Sequence, residues 1–216
     1  MRIVQQDNQH LALKVALRQE TMRVAGCLSM PCVCETHGGT GDLARLCYAD
    51  ATGMVIDRDT DRVDRLAFTR PTWQVYEGDA PTVLASGLGA ETAWDVLDCD
   101  PYGSPWTTLE AFFVTPRALA PIMALIVTDG SRQKQRLGGT VYGWEPWQEH
   151  YGQNLWDVFL RCSRDRATAL VRHAGYALSW WHGRYGGRTG QMTYWGAVLR
   201  QREDRYSDEP AQAPAA

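Results

Sequence analysis

The fold of this chain is decided by the stretch Cys32-Val33-Cys34-Glu35-Thr36-His37-Gly38-Gly39-Thr40-Gly41. A short apolar run that ends in a carboxylate predicts a buried strand over Pro31–Glu35. The glycines after it let the backbone approach a ligand closely before the next helix, predicted over Asp42–Ala51, begins. Several nucleotide-binding folds share such a turn, so the turn alone does not distinguish among them.

Strands alternate with helices over the first two thirds of the chain. Further strands are predicted at Gly53–Asp57, Trp73–Glu77, Trp94–Leu97 and Ile122–Thr128, and further helices at 8–26, from Asp59 onward and at Thr107–Phe113. This alternation predicts parallel strands joined by crossover helices. The far end differs, because the strand-like runs Tyr176–Trp181 and Met192–Leu199 are joined by the glycine-rich segment Gly183–Gly190, which predicts a hairpin. We therefore expect an α/β fold with a doubly wound, mostly parallel, seven-stranded sheet and an antiparallel last strand.

The length of 216 residues is typical of one domain. We expect a single domain over residues 1–202, in which residues 1–30 form an N-terminal helical segment, and a disordered tail over 203–216 that is rich in Asp, Pro and Ala. No apolar run reaches the length of a membrane span, and the N-terminus lacks an apolar signal region, so a soluble cytoplasmic protein is the default expectation. The six cysteines include no Cys-x-x-Cys pair and indicate reduced thiols rather than a metal site.

Charge is divided unevenly along the chain. From Glu35 to Glu110 there are 14 acidic residues against five arginines, whereas from Ala111 to Arg202 there are 12 basic residues against five acids. This division suggests an acidic cofactor half beside a surface able to meet phosphate. A solvated surface of mixed charge explains the same counts equally well.

Three successive predicted strands are each followed by an acid. Asp57 stands 22 residues after Glu35, a distance at which an acid can hold ribose hydroxyls, and Asp79 follows the third strand. Because the carboxyl ends of parallel strands meet at one edge of a sheet, these acids predict a pocket there. The pocket suits a nucleoside without phosphate, since Glu35 and His37 occupy the turn that a dinucleotide would need as a phosphate cradle.

This order of motifs resembles that of the Rossmann-like S-adenosylmethionine methyltransferases over roughly Pro31 to Leu199. The resemblance implies that S-adenosyl-L-methionine is the cofactor, that Glu35, Gly39 and Gly41 line its methionine end, that Asp57 binds the ribose and that Asp79 reads the adenine amine. His37 and Asp98 complete the candidate cofactor site. His37 departs from the family pattern, which has glycine or another small residue at this position.

A fourth motif follows the fourth strand: Asp98-Cys99-Asp100-Pro101-Tyr102-Gly103-Ser104-Pro105. It resembles the Asp-Pro-Phe-Gly-Ser-Pro signature of the tRNA N2,N2-dimethylguanosine methyltransferases and, more loosely, the motif of other enzymes that methylate exocyclic amines. The lone pair of such an amine is delocalised into the base, so the amine must be turned toward the methyl group. We predict Asp100 and the Pro101 carbonyl as acceptors of its N–H groups and Tyr102 as a stacking ring.

Substrate recognition is predicted from basic residues beyond the fifth strand. The tRNA enzymes carry a further C-terminal domain that has no counterpart in a chain of this length. The candidates here are Arg132, Lys134 and Arg136 in the segment Ser131–Gly139, together with Arg184 and Arg188 near the hairpin turn. Tryptophans between 144 and 181 offer aromatic faces, although tryptophans more often belong to a core.

Three hypotheses about function follow. The first is a methyltransferase acting on the exocyclic amino group of a nucleobase within RNA or DNA, which it would reach in an unpaired or flipped state. The second is a methyltransferase of a small nucleoside or another small amine. The third is a non-catalytic binding protein that keeps the fold, against which the complete Asp98–Pro105 string argues.

Overall fold

Seven strands form one sheet in the computed structural model, which describes residues 10–136, 143–152, 155–187 and 189–202. The expected tail over 203–216, the candidate residue Arg188 and the side chain of Arg136 lie outside the described residues. Among the helices that are described, none combines the length and the apolar character that crossing a membrane requires.

The strands are β1 (Cys32–Glu35), β2 (Thr52–Asp57), β3 (Trp73–Glu77), β4 (Val96–Cys99), β5 (Ile122–Asp129), β6 (Tyr176–Gly186) and β7 (Met192–Gln201). The helices are α1 (Leu11–Ala25), α2 (Asp42–Cys47), α3 (Thr60–Thr69), α4 (Ala80–Ala85), α5 (Trp106–Val114), α6 (Ser131–Arg136), α7 (Glu145–Tyr151) and α8 (Phe159–His173). The sheet order is β3-β2-β1-β4-β5-β7-β6, with parallel pairs from β3 to β5 and with β7 antiparallel to both β5 and β6. The predicted fold class is therefore confirmed.

The strand order reverses between β1 and β4, which leaves a crevice at the carboxyl edge of the sheet. Alternate residues of each strand point to opposite faces, and both faces are covered. One apolar cluster packs Cys34, Met54 and Leu97 beneath α4, α5 and α8. The other packs Val33 and Val55 beneath α1, α2 and α3. These two layers hold the crevice between rigid elements.

Helix α1 lies close against β7. A Cβ atom added at Gly196 would stand 2.0 Å from the Thr21 Oγ1 atom, so only glycine allows this approach. The helix ends where Gly26 takes a left-handed conformation with φ 77° and donates its N–H back to the last turn. Its buried residues are Lys14, Leu17, Arg18, Thr21, Met22 and Ala25. Leu11 and Val15, apolar residues of the first two turns, are only partly buried.

Several boundaries differ from those predicted. β4 covers Val96–Cys99 rather than Trp94–Leu97, and α2 ends at Cys47 rather than near Ala51. The segment after β5 begins with the short helix α6, and the 15-residue helix α8 lies in a region for which no element was predicted. These changes leave the residues after β1, β2, β3 and β4 at the same edge of the sheet.

Candidate active site

A cavity of about 620 Å³ opens at the carboxyl edge of the sheet. Its β1–β3 half is formed by the turns after those strands, and its β4–β7 half by the turn after β4, the end of β5, the start of β7 and Lys14 of α1. The predicted site residues that line it are His37, Gly39, Asp57, Asp79, Asp100, Pro101 and Tyr102. The structure thus brings the turn after β1, the acids Asp57 and Asp79 and part of the fourth motif into one cavity.

Glycines shape the turn after β1. A Cβ atom at Gly38 would lie 2.5 Å from Leu66 Cδ1 and 2.6 Å from Val55 Cγ2, so this backbone packs directly on the layer beneath. Gly39 has φ +55° and donates its N–H to Asp57 Oδ2 at 2.7 Å. The turn therefore presents bare backbone to the cavity and is held by the acid of the next strand.

Asp57 and Asp79 are carboxylates of the β1–β3 half. Asp57 accepts the N–H groups of Gly39 and Asp59 and remains at the cavity wall. A carboxylate has about four lone-pair positions, so Asp57 can accept further donors from a ligand. Asp79 begins α4 and accepts the hydroxyl of Thr82 at 3.2 Å. This half thus offers acceptors to hydroxyl and amino groups.

Glu35 and Gly41 are engaged below the turn rather than at the cavity wall. Glu35 is 3% exposed, and its Oε2 atom lies 2.5 Å from Nη1 of Arg70, whose Nη2 atom donates to the Gly41 carbonyl at 3.3 Å. Burial raises the pKa of Glu35 to about 7 against the opposing effect of Arg70. This corrects the expected placement of both residues, because Arg70 returns from the end of α3 and takes up the carboxylate.

Asp98 is also internal, held by Arg18 of α1 and by Tyr48, which directly follows α2. Arg18 of α1 donates from Nε and Nη2 to its two oxygens, each at 2.7 Å, and the Tyr48 hydroxyl donates at 2.6 Å. Both charged side chains are 1% exposed. Burial opposes the charge of Arg18, but Asp98 and Asp100 together raise the pKa of Arg18 above its usual range. The ion pair fastens α1 to the end of β4, and it corrects the expected position of Asp98 at the cofactor.

Asp100 lies at the cavity wall as a carboxylate. The Nζ atom of Lys14 stands 2.6 and 2.7 Å from its two oxygens, and Arg18 Nη2 lies 3.7 Å away. Burial opposes ionisation, but Arg18 and Lys14 hold the pKa of Asp100 below its ordinary value. Across the wall, burial lowers the pKa of His37, so that its ring is neutral at pH 7. The cavity therefore contains an ionised acceptor beside a neutral imidazole.

The rest of the fourth motif surrounds Asp100 with aromatic and small residues. Tyr102 is 57% exposed at the edge of the cavity. Gly103 has φ +119° and accepts the Gly130 N–H at 2.7 Å, which ties the motif to the end of β5. Tyr194 of β7 also lines this half, and burial together with Asp100 raises its pKa to about 12. An aromatic ring bound here would contact Tyr102 and Tyr194 beside the Asp100 carboxylate.

The basic residues predicted to bind the substrate do not form an open surface beside the cavity. Arg132 is 6% exposed, its guanidinium lies 3.5 Å from the ring centroid of Trp156 and 4.0 Å from that of Tyr185, and it donates to the carbonyls of Trp156 and Gly190. The prediction that Arg132 is open to a substrate is therefore corrected. Its planar guanidinium packs against the β6–β7 hairpin instead.

Two further residues that were predicted to bind the substrate, Lys134 and Arg184, lie away from the cavity wall. Lys134 is exposed on α6. Arg184 is half exposed on β6, donates to His182 and stands 4.0 Å from Glu20. Neither belongs to the lining of the cavity described above, so they bear on a substrate only outside it.

Four residues that hold the site were missed from sequence: Lys14, Arg18, Tyr48 and Arg70. Only the first two left a signal, since basic residues four positions apart share one face of a helix. Tyr48 and Arg70 meet their partners across 50 and 35 residues, and no local pattern marks them.

No protein-family model matches this chain, and no curated protein matches its sequence. Among solved structures, it is similar to the N-methyltransferase NodS from Bradyrhizobium japonicum WM9, with TM-score 0.53 and 12% identity over 86% of this chain and 94% of that one. A proposed sarcosine dimethylglycine methyltransferase from Galdieria sulphuraria gives TM-score 0.56 and 11% identity over 88% and 85%. The cyclase SpnF gives TM-score 0.53 and 13% identity over 87% and 81%.

The chain has the Rossmann-like fold of S-adenosylmethionine-dependent methyltransferases. A cyclase has the same fold, so the fold by itself does not assign a reaction. The assignment of a reaction therefore rests on the cavity and its residues.

Proposed function

We propose that this protein is an S-adenosylmethionine-dependent N-methyltransferase that acts on an exocyclic amino group of a nucleobase in nucleic acid. The observation that carries the proposal is that Asp100, Pro101 and Tyr102 line the same cavity as Asp57 and Asp79. An acceptor for an amine and acceptors for a nucleoside thus lie within one space, as transfer between two bound molecules requires.

The β1–β3 half fits the cofactor. A Cβ atom at Gly38 would collide with Leu66 and Val55 beneath the turn, and one at Gly39 would strain its positive φ, so the turn offers bare backbone to a ligand. Asp57 has lone pairs left for ribose hydroxyls, and Asp79 can accept the adenine amine. Because Glu35 is paired with Arg70, Thr36 and the neutral His37 are the residues that remain at the wall for the methionine end. A neutral ring there does not oppose a positively charged sulfur.

When bound, S-adenosylmethionine supplies an electrophilic methyl group. Asp100 and the Pro101 carbonyl accept the two N–H bonds of the amine and turn its lone pair away from the ring, while Tyr102 stacks on the base. The methyl group would replace one proton of the amine, which Asp100 and the Pro101 carbonyl hold in place. Since Lys14 and Arg18 keep the pKa of Asp100 low, this carboxylate orients the amine, and the proton passes on to water.

The direct test is methyl transfer to defined substrates. Purified protein and S-adenosylmethionine carrying an isotopically labelled methyl group are incubated with single-stranded oligonucleotides that each contain adenine, cytosine or guanine in a thymine background. The products are digested to nucleosides and analysed by mass spectrometry. We expect label on the exocyclic nitrogen of one base. Label on carbon or oxygen, or no transfer to any base, contradicts the proposal.

Methylation of a free nucleoside is the second candidate function, and the burial of Arg132 favours it. Arg132 is enclosed between Trp156 and Tyr185 rather than open to phosphate, and the cavity volume is that of a small-molecule site. Parallel reactions with free nucleosides separate the two candidates. Turnover of oligonucleotides that weakens steeply with salt supports nucleic acid, since release of counterions accompanies phosphate binding.

Asp57→Ala is expected to weaken binding of S-adenosylhomocysteine about ten- to a hundredfold, because hydrogen bonds to a charged group contribute roughly 1.5–3 kcal/mol. Isothermal titration calorimetry measures the change. Asp64→Ala, at an exposed position of α3, is the matched control and should bind as the unchanged protein does. Equal affinity of the Asp57 and Asp64 variants, or binding of a nicotinamide cofactor instead, contradicts the assignment of Asp57 to the ribose.

A further inference from the structure

A hydrogen-bond donor and an acceptor stand side by side in the β4–β7 half of the cavity. The donor is the Lys14 ammonium from α1, the acceptor is the Asp100 carboxylate after β4, and both line the cavity. They are 86 residues apart in the chain, yet Nζ stands 2.6 and 2.7 Å from the two carboxylate oxygens. The amine-orienting residue therefore has a fixed cationic neighbour that the fourth motif does not contain.

Each of the two groups keeps capacity for a ligand. An ammonium has three N–H donors, of which Asp100 takes two. The carboxylate has about four lone-pair positions, of which the two bonds from Lys14 take up two. The pair thus keeps a donor and an acceptor for a ligand.

This donor and this acceptor match the edge of an amino-substituted heteroaromatic ring. In adenine, cytosine and guanine, the carbon that carries the amino group is also bonded to a ring nitrogen with a free lone pair. An N–H donor and a nitrogen acceptor therefore lie side by side on the base. Alkyl amines have no such acceptor, and at neutral pH they carry a positive charge.

We propose that Lys14 is a specificity-determining residue that donates to the ring nitrogen next to the amino group held by Asp100. The inference rests on the proposed function and deepens it by naming the second atom that the site reads, the unprotonated ring nitrogen next to the amino group. Lys14 and Asp100 read the two atoms together, so a correct base satisfies both and a base lacking the ring nitrogen leaves the ammonium short of a partner.

The charges around the pair favour the same class. Lys14, Arg18, Asp98 and Asp100 form one buried cluster whose formal charges cancel. Asp100 therefore does not act as an uncompensated anion that would draw an alkylammonium ion into the site. Lys14, within 3 Å of the acceptor, repels a second cation placed there.

The test compares a base with its deaza analogue in the unchanged protein and in Lys14→Met. The substrate is the oligonucleotide methylated in the transfer assay, and the analogue has the ring nitrogen next to the amino group replaced by C–H: 1-deazaadenine, 3-deazacytosine or 3-deazaguanine. We expect the replacement to lower kcat/KM about ten- to a hundredfold in the unchanged protein. Lys14→Met should lower kcat/KM on the natural base by a similar factor and show little further loss on the analogue.

Other outcomes overturn the inference. If the unchanged protein methylates base and analogue equally, Lys14 does not read the ring nitrogen, and this result needs no variant. If Lys14→Met lowers both rates by one factor, its role is only structural. If it weakens S-adenosylhomocysteine binding instead, Lys14 serves the cofactor. Lys14→Arg, which keeps a cationic donor, should restore part of the discrimination. Absence of transfer to every base amine is a separate result and counts against the proposed function itself.

Discussion

Asp100→Ala is expected to reduce methyl transfer at least about a hundredfold, because a reacting group that is no longer oriented loses that much rate. The reason lies in the wall of the cavity, where Asp100 is held as a carboxylate by Lys14 and Arg18. The measurement is the single-turnover rate with saturating S-adenosylmethionine on the base identified in the transfer assay. Cofactor binding should survive, since Asp57 and Asp79 belong to the other half of the cavity.

Conservative variants sharpen this test. Asp100→Asn keeps one oxygen that can accept an N–H, so its rate should fall less than that of Asp100→Ala. Tyr102→Phe keeps the ring and should be tolerated, whereas Tyr102→Ala should not. Full turnover by Asp100→Ala, or loss of cofactor binding and fold together, would mean that the fourth motif is a structural turn.

Arg18→Met is expected to lower the free energy of unfolding by about 3–5 kcal/mol, the usual loss when one partner of a buried ion pair is removed. The substitution leaves Asp98 without its bidentate partner at 1% exposure and removes one of the two cations near Asp100. Urea denaturation at pH 7 measures the change. Arg45→Met is the matched control, because Arg45 is 71% exposed and its pair with Asp42 lies at the surface, so its loss should stay within about 0.5 kcal/mol.

A second substitution supplies an independent check. Asp98→Asn removes the negative charge that Arg18→Met leaves without its cation, so Asp98→Asn added to Arg18→Met should recover part of the lost stability. A double variant that is no more stable than Arg18→Met alone would show that packing, not charge, is what Arg18 contributes.

The sheet and its edge could be predicted because their signals are local. Apolar runs, the glycines after β1 and the acids after β2 and β3 lie within a few residues of one another. The same holds for the fourth motif, of which Asp100, Pro101, Tyr102 and Ser104 line the cavity where the strand order places them. For these elements, neighbouring residues are enough to determine local structure.

The burial of charge could not be predicted in this way. Isolated cations are costly to bury, so the charged side of a helix ordinarily favours solvent. Burial of Lys14 and Arg18 is favourable only when Asp98 and Asp100 lie opposite them. That pairing exists only once the sheet has folded. Arg70 and Arg132 follow the same rule, since their partners are a carboxylate 35 residues away and carbonyls 24 and 58 residues away.

The attachment of α1 to β4 has a consequence for the order of events during synthesis. Arg18 precedes Asp98 by 80 residues and Lys14 precedes Asp100 by 86. At about 5–20 residues per second, the ribosome takes roughly 4–16 s to produce the carboxylates after the cations. Throughout that interval Asp98 and Asp100 are not yet present to pair with these cations. This wall of the cavity is therefore completed late, when an early helix closes onto a strand that emerges long after it.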